Sequence, residues 1–259
     1  MESLKSNIQI AISLAKNDFR QKYAASSLGI IWGFIPSVAT ILIYWFVFTM
    51  AFRSTTTEEY PYLVWLMSGM IPWLYFQEVV VGITNSFTDY SYLVKKVVFN
   101  IELLPYVRAI SSVAIHAFFL CLMMAVLLGY GFLPKLTYLQ VLYYLVCMIC
   151  FSVAFGRISA TLNVLFRDVS NLIVVILQFG VWLLPILWQP TQLSDTILTV
   201  LKINPVYYVI IGYRDSLLYG VWFTEYIAYS AYFWLVTIML DVLGKRLLSK
   251  LKGQFSDLM

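Results

Sequence analysis

The stretch PTQLSDTILTVLKINPVYYVIIGYRDSLLYGVWF, residues Pro190 to Phe223, decides how this 259-residue chain is organised. Its apolar run Val206 to Tyr213 is followed at once by Arg214 and Asp215. A membrane-crossing helix needs ~20 mostly apolar residues, so a run this short reads as re-entrant or interfacial. The other apolar runs are long enough to cross. They are 28–52, 62–87, 103–129, 138–162, 171–188 and 226–243.

Charge supports six spans over seven. With both termini cytoplasmic, six spans leave only Arg53, Lys135, Lys202 and Arg214 on the outer side, and the remaining 13 of 17 basic residues inside. A seventh span would carry Lys245, Arg246, Lys250 and Lys252 outward, against the positive-inside tendency. Composition agrees with a membrane protein. Apolar residues make up 61% and charged residues 12%, against ~25% charged in an average soluble domain. The net charge of +4 thus describes a sidedness and not a nucleic-acid face. The expected fold is an all-α integral membrane protein forming one domain over 1–259, with six transmembrane helices and a re-entrant helical pair at 190–223 before the last span.

Ahead of the first span, residues 4–23 carry Leu4, Ile8, Ala11, Ile12, Ala15, Phe19 and Tyr23 at helical spacing, with Lys5, Lys16 and Arg20 elsewhere around the helix. This pattern predicts an amphipathic helix lying in the membrane interface. No secretory leader is recognisable there. The cytoplasmic loop 89–102, DYSYLVKKVVFNIE, is amphipathic and basic, and predicts a short helix that presses on a soluble partner.

Residues with chemical potential are few. The chain has no G-x-x-x-x-G-K-[ST] phosphate loop, no metal-ligand cluster and no nucleophile–base pair in sequence, so an intramembrane enzyme has no positive support. His116, the single histidine, reads as a packed helix residue. Cys147 and Cys150 form a C-x-x-C inside an apolar helix rather than opening one, and read as small buried hydrophobes. Ionisable groups within spans are costly. Glu78 is the one deep acid, and pairing with Arg108 or Arg157 to fix helix packing is the expected role; an ion relay would want several acids in series. Trp65, Trp73, Tyr138, Tyr143, Trp188 and Tyr226 read as interfacial belt residues. A second set lies deeper: Ile41, Trp45, Phe48 and Phe52 share one face of the first span, and Asn171, Val175, Gln178 and Trp182 share one face of the fifth, a spacing that helix–helix packing explains about as well as a channel wall does. Amides and indoles suit a channel wall better than lipid, and flat rings with hydrogen-bonding edges match sugars.

Four segments together resemble the membrane subunit of the ABC exporters of lipid-linked polysaccharide, the O-antigen and teichoic-acid permeases. They are NDFRQKYAASSLGIIWGFIP (17–36), LVKKVVFNIELLP (93–105), LNVLFRDV (162–169) and INPVYYVIIGYRDSLLYG (203–220). They stand in the family's order and spacing. One departure is Asn100 and Ile101, where the family usually has a proline and a basic residue.

The resemblance implies a channel-forming permease of the bacterial cytoplasmic (inner) membrane, working as a homodimer with two copies of an ABC-type ATPase. ATP and Mg would be bound by that partner, and no cofactor by this chain. Leu93, Lys95, Lys96, Val97, Phe99 and Glu102, with Arg167 and Asp168, would couple to the ATPase. Trp45, Phe48, Phe52, Asn171, Gln178 and Trp182 would line the channel. Asn204, Pro205, Tyr207, Arg214 and Asp215 would form the outer gate. Arg20 and Lys22 are expected, on electrostatics alone, to meet the anionic headgroup of the carrier lipid. Two other readings share parts of the sequence: an ABC exporter of a drug or lipid with the same fold, and an ion-coupled secondary transporter.

Overall fold

The computed structural model describes residues 2–24, 29–51, 60–94, 100–190 and 193–255; for residues 2–6, 23 and 24 it describes backbone only. Among them every element is helical. In chain order these are α1 (Glu2–Ala24), α2 (Ile31–Met50), α3 (Tyr62–Asp89), α4 (Ser91–Val94), α5 (Leu104–Gly129), α6 (Val141–Leu165), α7 (Asp168–Leu183), α8 (Asp195–Lys202), α9 (Pro205–Arg214) and α10 (Ile227–Leu251). Helix is what apolar solvent dictates, because a helix satisfies its own backbone polar groups.

Five helices, α2, α3, α5, α6 and α10 with their short flanking turns, are long and apolar enough to cross a membrane. Helix α7 is shorter than the run 171–188 suggests. It starts three residues earlier and stops at Leu183, giving a rod of ~24 Å. Residues Leu184 to Trp188 continue as buried or half-buried non-helical chain. That is tolerable at depth only if its carbonyls find donors, and they do. Pro185 O accepts from Arg214 at 2.9 Å, and Leu187 O from the Tyr62 hydroxyl at 3.0 Å. Helix α7 with this extension therefore runs the length of α3. The last span also differs from 226–243: α10 continues to Leu251, carrying Lys245, Arg246 and Lys250 on helix.

Helix α3 is the axis of the bundle, buried on nearly all sides by α2, α5, α6, α7 and α9. Helix α10 packs on α6, and α1 on α5. Both described ends of the chain lie at one end of the bundle, here the proximal end. There Asp18 of α1 bonds to Arg108 and Tyr90, and the Phe255 ring lies 5.7 Å from that of Phe87.

Helices α8 and α9, within the expected segment, form a re-entrant pair entering from the distal end. Helices α8 and α9 are bent by 105° at their junction. The chain before them is tied to Tyr62 through Leu187, and the chain after them to Tyr60 through Leu218 O at 2.5 Å. Both anchors sit at the distal start of α3. The turn itself lies at mid-depth, where Asn204 and Val206 share a cavity with Trp73, Phe76 and Phe151. Its free carbonyls are satisfied by α10: Tyr229 donates to Lys202 O at 2.9 Å and Tyr232 to Ile203 O at 2.7 Å. Asn204 caps α9 by accepting from Val206 N at 3.0 Å, and Pro205 follows at the first helical position, where its missing N–H is not needed.

Candidate functional site

At the proximal end, α1 is held by charge more than by apolar contact. Ala11 and Ala15 lie buried against Val107 of α5, while Ile8 and Ile12 point outward. One turn further, Asp18 is buried and receives hydrogen bonds from Arg108 Nη1 at 2.7 Å, Ser111 Oγ at 2.7 Å and the Tyr90 hydroxyl. A buried carboxylate requires such donors. Arg108 also bonds Asp89, so one guanidinium joins α1, α3 and α5. Burial, then the bond to Asp18, pushes the Tyr90 phenol well above its ordinary pKa.

Among the described residues Glu78 pairs with no arginine. It lies against Lys22 at 2.6 Å and Ser112 at 3.1 Å. Lys22, expected at a lipid headgroup, is thus engaged with α3, although both it and Arg20 are exposed. Arg157, fully buried, instead bonds Asp241 of α10 and lies 3.3 Å from the Tyr106 hydroxyl. Asp241 was not singled out by sequence, although its place inside an apolar run was the available signal.

Next to this network is a polar cleft of about 350 Å³ lined by Asn85, Thr88, Ser91, Asn163, Arg167 and Ser170. Asn163 shapes it, donating to Thr84 O at 3.2 Å and accepting from Ser170 N at 3.0 Å. Arg167 and Asp168 are exposed at the start of α7, an acid in the first turn being favourable to the helix dipole. Leu93 is half-buried in α4. Glu102 lies in the short turn 101–103, its N–H capped by Asn100 Oδ1 at 3.1 Å. Lys95, Lys96, Val97 and Phe99 lie outside the described residues, as does Phe52.

A cleft opens between α2, α3 and α7. Trp45 and Phe48 turn towards the core, and Phe48 stacks on Tyr62 with ring centres 5.8 Å apart. Tyr44 packs against the same core. Thr40 and Tyr44 line a cleft of about 310 Å³ with Trp73 and Gln77 of α3 and Gln178 and Trp182 of α7. The Tyr44 and Trp182 rings meet edge to face at 6.1 Å. Gln178 and Trp182 are exposed along α7, with Asn171 nearer the proximal end. Trp73 and Trp65 are not belt residues: both are buried, Trp73 against Gly180 and Trp65 beneath Arg214.

In the distal pair, Tyr207, Arg214 and Asp215 are all buried. The Arg214 guanidinium sits 3.8 Å above the Trp65 ring and donates to Pro185 O. His116 packs as expected, with Nε2 2.9 Å from the Tyr213 hydroxyl.

This is a multi-pass membrane protein whose proximal end carries a network of charged and polar side chains and whose α2–α7 surface carries amides and indoles. The chain belongs to the ABC-2 type transporter membrane family, whose model matches residues 10–218. It is similar to the O-antigen export system permease protein RfbA of Klebsiella pneumoniae, with two such relatives 26% and 24% identical, each over 96% of this chain and 95% of the relative. An RfbA of Myxococcus xanthus is 27% identical over 79% of this chain and 78% of its own length.

Proposed function

We propose that this chain is the channel-forming subunit of an ATP-driven exporter of lipid-linked polysaccharide, of the O-antigen or teichoic-acid type. The observation that carries this reading is the cleft of Thr40, Tyr44, Gln77, Gln178 and Trp182 at membrane depth. Lipid has no use for amides there, whereas a glycan passing along the surface finds hydrogen bonds and ring faces. Two copies meeting along α2 and α7 would enclose such a path, and the similarity to O-antigen permeases supports polysaccharide as the cargo.

In this account the proximal end faces the cytoplasm of a bacterial inner membrane. Two copies of an ABC-type ATPase, which hold ATP and Mg, press on the segment 89–102 and on Arg167 and Asp168. The network through Arg108 would pass that push to α1 and α5 together. Arg20 is exposed to meet the carrier phosphate; Lys22 would have to leave Glu78 to do so. The re-entrant pair would close the outer end of the path.

Replacing Gln178 by Leu and Trp182 by Ala together should lower surface polysaccharide at least about tenfold in cells lacking the native chain. Membrane abundance and co-purification with the ATPase should be unchanged. Normal polysaccharide with the double variant would exclude this wall from the path.

A further inference from the structure

The polar cleft at the proximal end spends its amides on holding its own walls. Asn85 Nδ2 donates to Val81 O at 3.1 Å, and Thr88 Oγ1 to Asn85 O at 2.8 Å. Asn163 ties α3 to the start of α7 through Thr84 O and Ser170 N. What the cleft has left to offer is one guanidinium and two hydroxyls, those of Arg167, Ser91 and Ser170. Among the described residues Arg167 forms no ion pair, and none of these three side chains has a hydrogen-bond partner.

Other cations at this end are matched. Lys22 has Glu78, Arg108 has Asp18 and Asp89, and Arg157 and Lys245 share Asp241. Among the described residues no carboxylate lines the cleft, and Asp168, next in the chain to Arg167, lies outside the lining. Lys95 and Lys96 follow α4 in sequence, so the surroundings carry the same sign as Arg167.

Position says what covers the cleft. Ser91 belongs to the segment 89–102 and Arg167 to the turn between α6 and α7, the two places on which the ATPase presses in the reading above. A surface that reaches both lies over the cleft between them. Water serves the free donors while Arg167 is exposed. A surface that covers them removes that water, and a guanidinium then left unpaired is costly. The covering surface therefore has to bring an anion. We propose that the cleft is a socket for an acidic side chain of the ATPase, an Asp or Glu carboxylate that pairs with Arg167 and accepts from the Ser91 and Ser170 hydroxyls. The inference deepens the exporter reading and rests on it. It also gives the push a route to the wall, because Arg167 stands at the start of α7, the helix that carries Gln178 and Trp182.

The test uses the full chain in membranes, co-expressed with its tagged ABC-type ATPase, and measures how much chain is recovered with the ATPase. Arg167→Glu should cut recovery at least about tenfold, with membrane abundance unchanged because the side chain is exposed. Arg167→Lys, which keeps the charge but not the planar fork, should fall between. Arg246→Glu, exposed on α10 at the same end, should stay within about twofold. Reversing the acidic surface residues of the ATPase to Lys one at a time should find one that lowers recovery with the wild-type chain and restores it with Arg167→Glu. Undiminished recovery with Arg167→Glu would overturn the socket and leave the exporter reading intact. So would a loss that no acid reversal repairs. So would native mass spectrometry in which Arg167→Glu releases an anionic phospholipid while the ATPase stays bound. No ATPase recovered with the wild-type chain would instead remove the reading on which the socket stands.

Discussion

Replacing Asp241 by Leu should destabilise the bundle by about 3–5 kcal/mol, the cost of stranding a buried charge. Arg157 has no exposed side-chain surface, and its partners come from two other helices: Asp241 on α10 and Tyr106 on α5. Lys245 shares the carboxylate at 2.8 Å, but half of its side chain is exposed. It can turn to headgroups when Asp241 is gone; Arg157 cannot. The loss therefore belongs to the arginine, and removing both charges should undo most of it. Thermal unfolding in nanodiscs is expected to show a large drop in Tm for Asp241→Leu. Most of the stability should return in Arg157→Met combined with Asp241→Leu. An equal or greater loss in the double variant would mean that the pair is itself a major source of stability and not only a mutually neutralised burden.

Gly212→Val should disable the re-entrant pair. A Cβ at Gly212 would lie 2.0 Å from the Tyr144 ring, where no contact can exist. The neighbouring surfaces leave little room to yield, because Tyr208 packs on the same ring and α9 is buried along its length. Overpacking of this kind costs typically about 1–3 kcal/mol, and here relief requires moving α9 away from α6. Transport should fall to background while the chain still inserts and packs α3, α5 and α10. Tyr144→Ala in the same chain should restore part of the activity by opening the space. Surface polysaccharide and a cysteine-accessibility readout at position 203 measure the two effects. A fully active Gly212→Val would show that α9 is not held against α6 in the working protein.

The re-entrant pair was also the part of the fold most legible in the sequence. A short apolar run ended by Arg214 and Asp215 is too brief to cross, and the bend of 105° is the structural form of that arithmetic. Apolar run length likewise located the long helices, because lipid makes hydrophobic length the dominant constraint. What it missed were faces and partners. Trp45 and Phe48 share a helical face, but aromatic spacing is the same for a packing face and a channel face. In the structure Tyr44, Trp45 and Phe48 all pack against the core, and Thr40 and Tyr44 also border the α2–α7 cleft. Trp65 and Trp73 resemble belt residues by type, yet the burial of α3 on nearly all sides draws them inward. Glu78 lies 56 residues from Lys22, and its real partner depends on how α1 folds back along α5. That placement is set by Ala11, Ala15 and Asp18 jointly, a pattern too short to stand out within an amphipathic helix. Asp241 went unused because one acid near the end of an apolar run has many explanations until Arg157 is seen opposite it.

The most direct measurement of the account is photocrosslinking from the span surface to the cargo during transport. A photoreactive amino acid in place of Trp182 should yield an adduct carrying surface polysaccharide. That adduct should disappear when the partner ATPase is inactivated. The same amino acid in place of Met239, exposed on α10, should capture lipid alone. Lipid adducts at both positions, with polysaccharide at neither, would contradict a glycan path along α2 and α7.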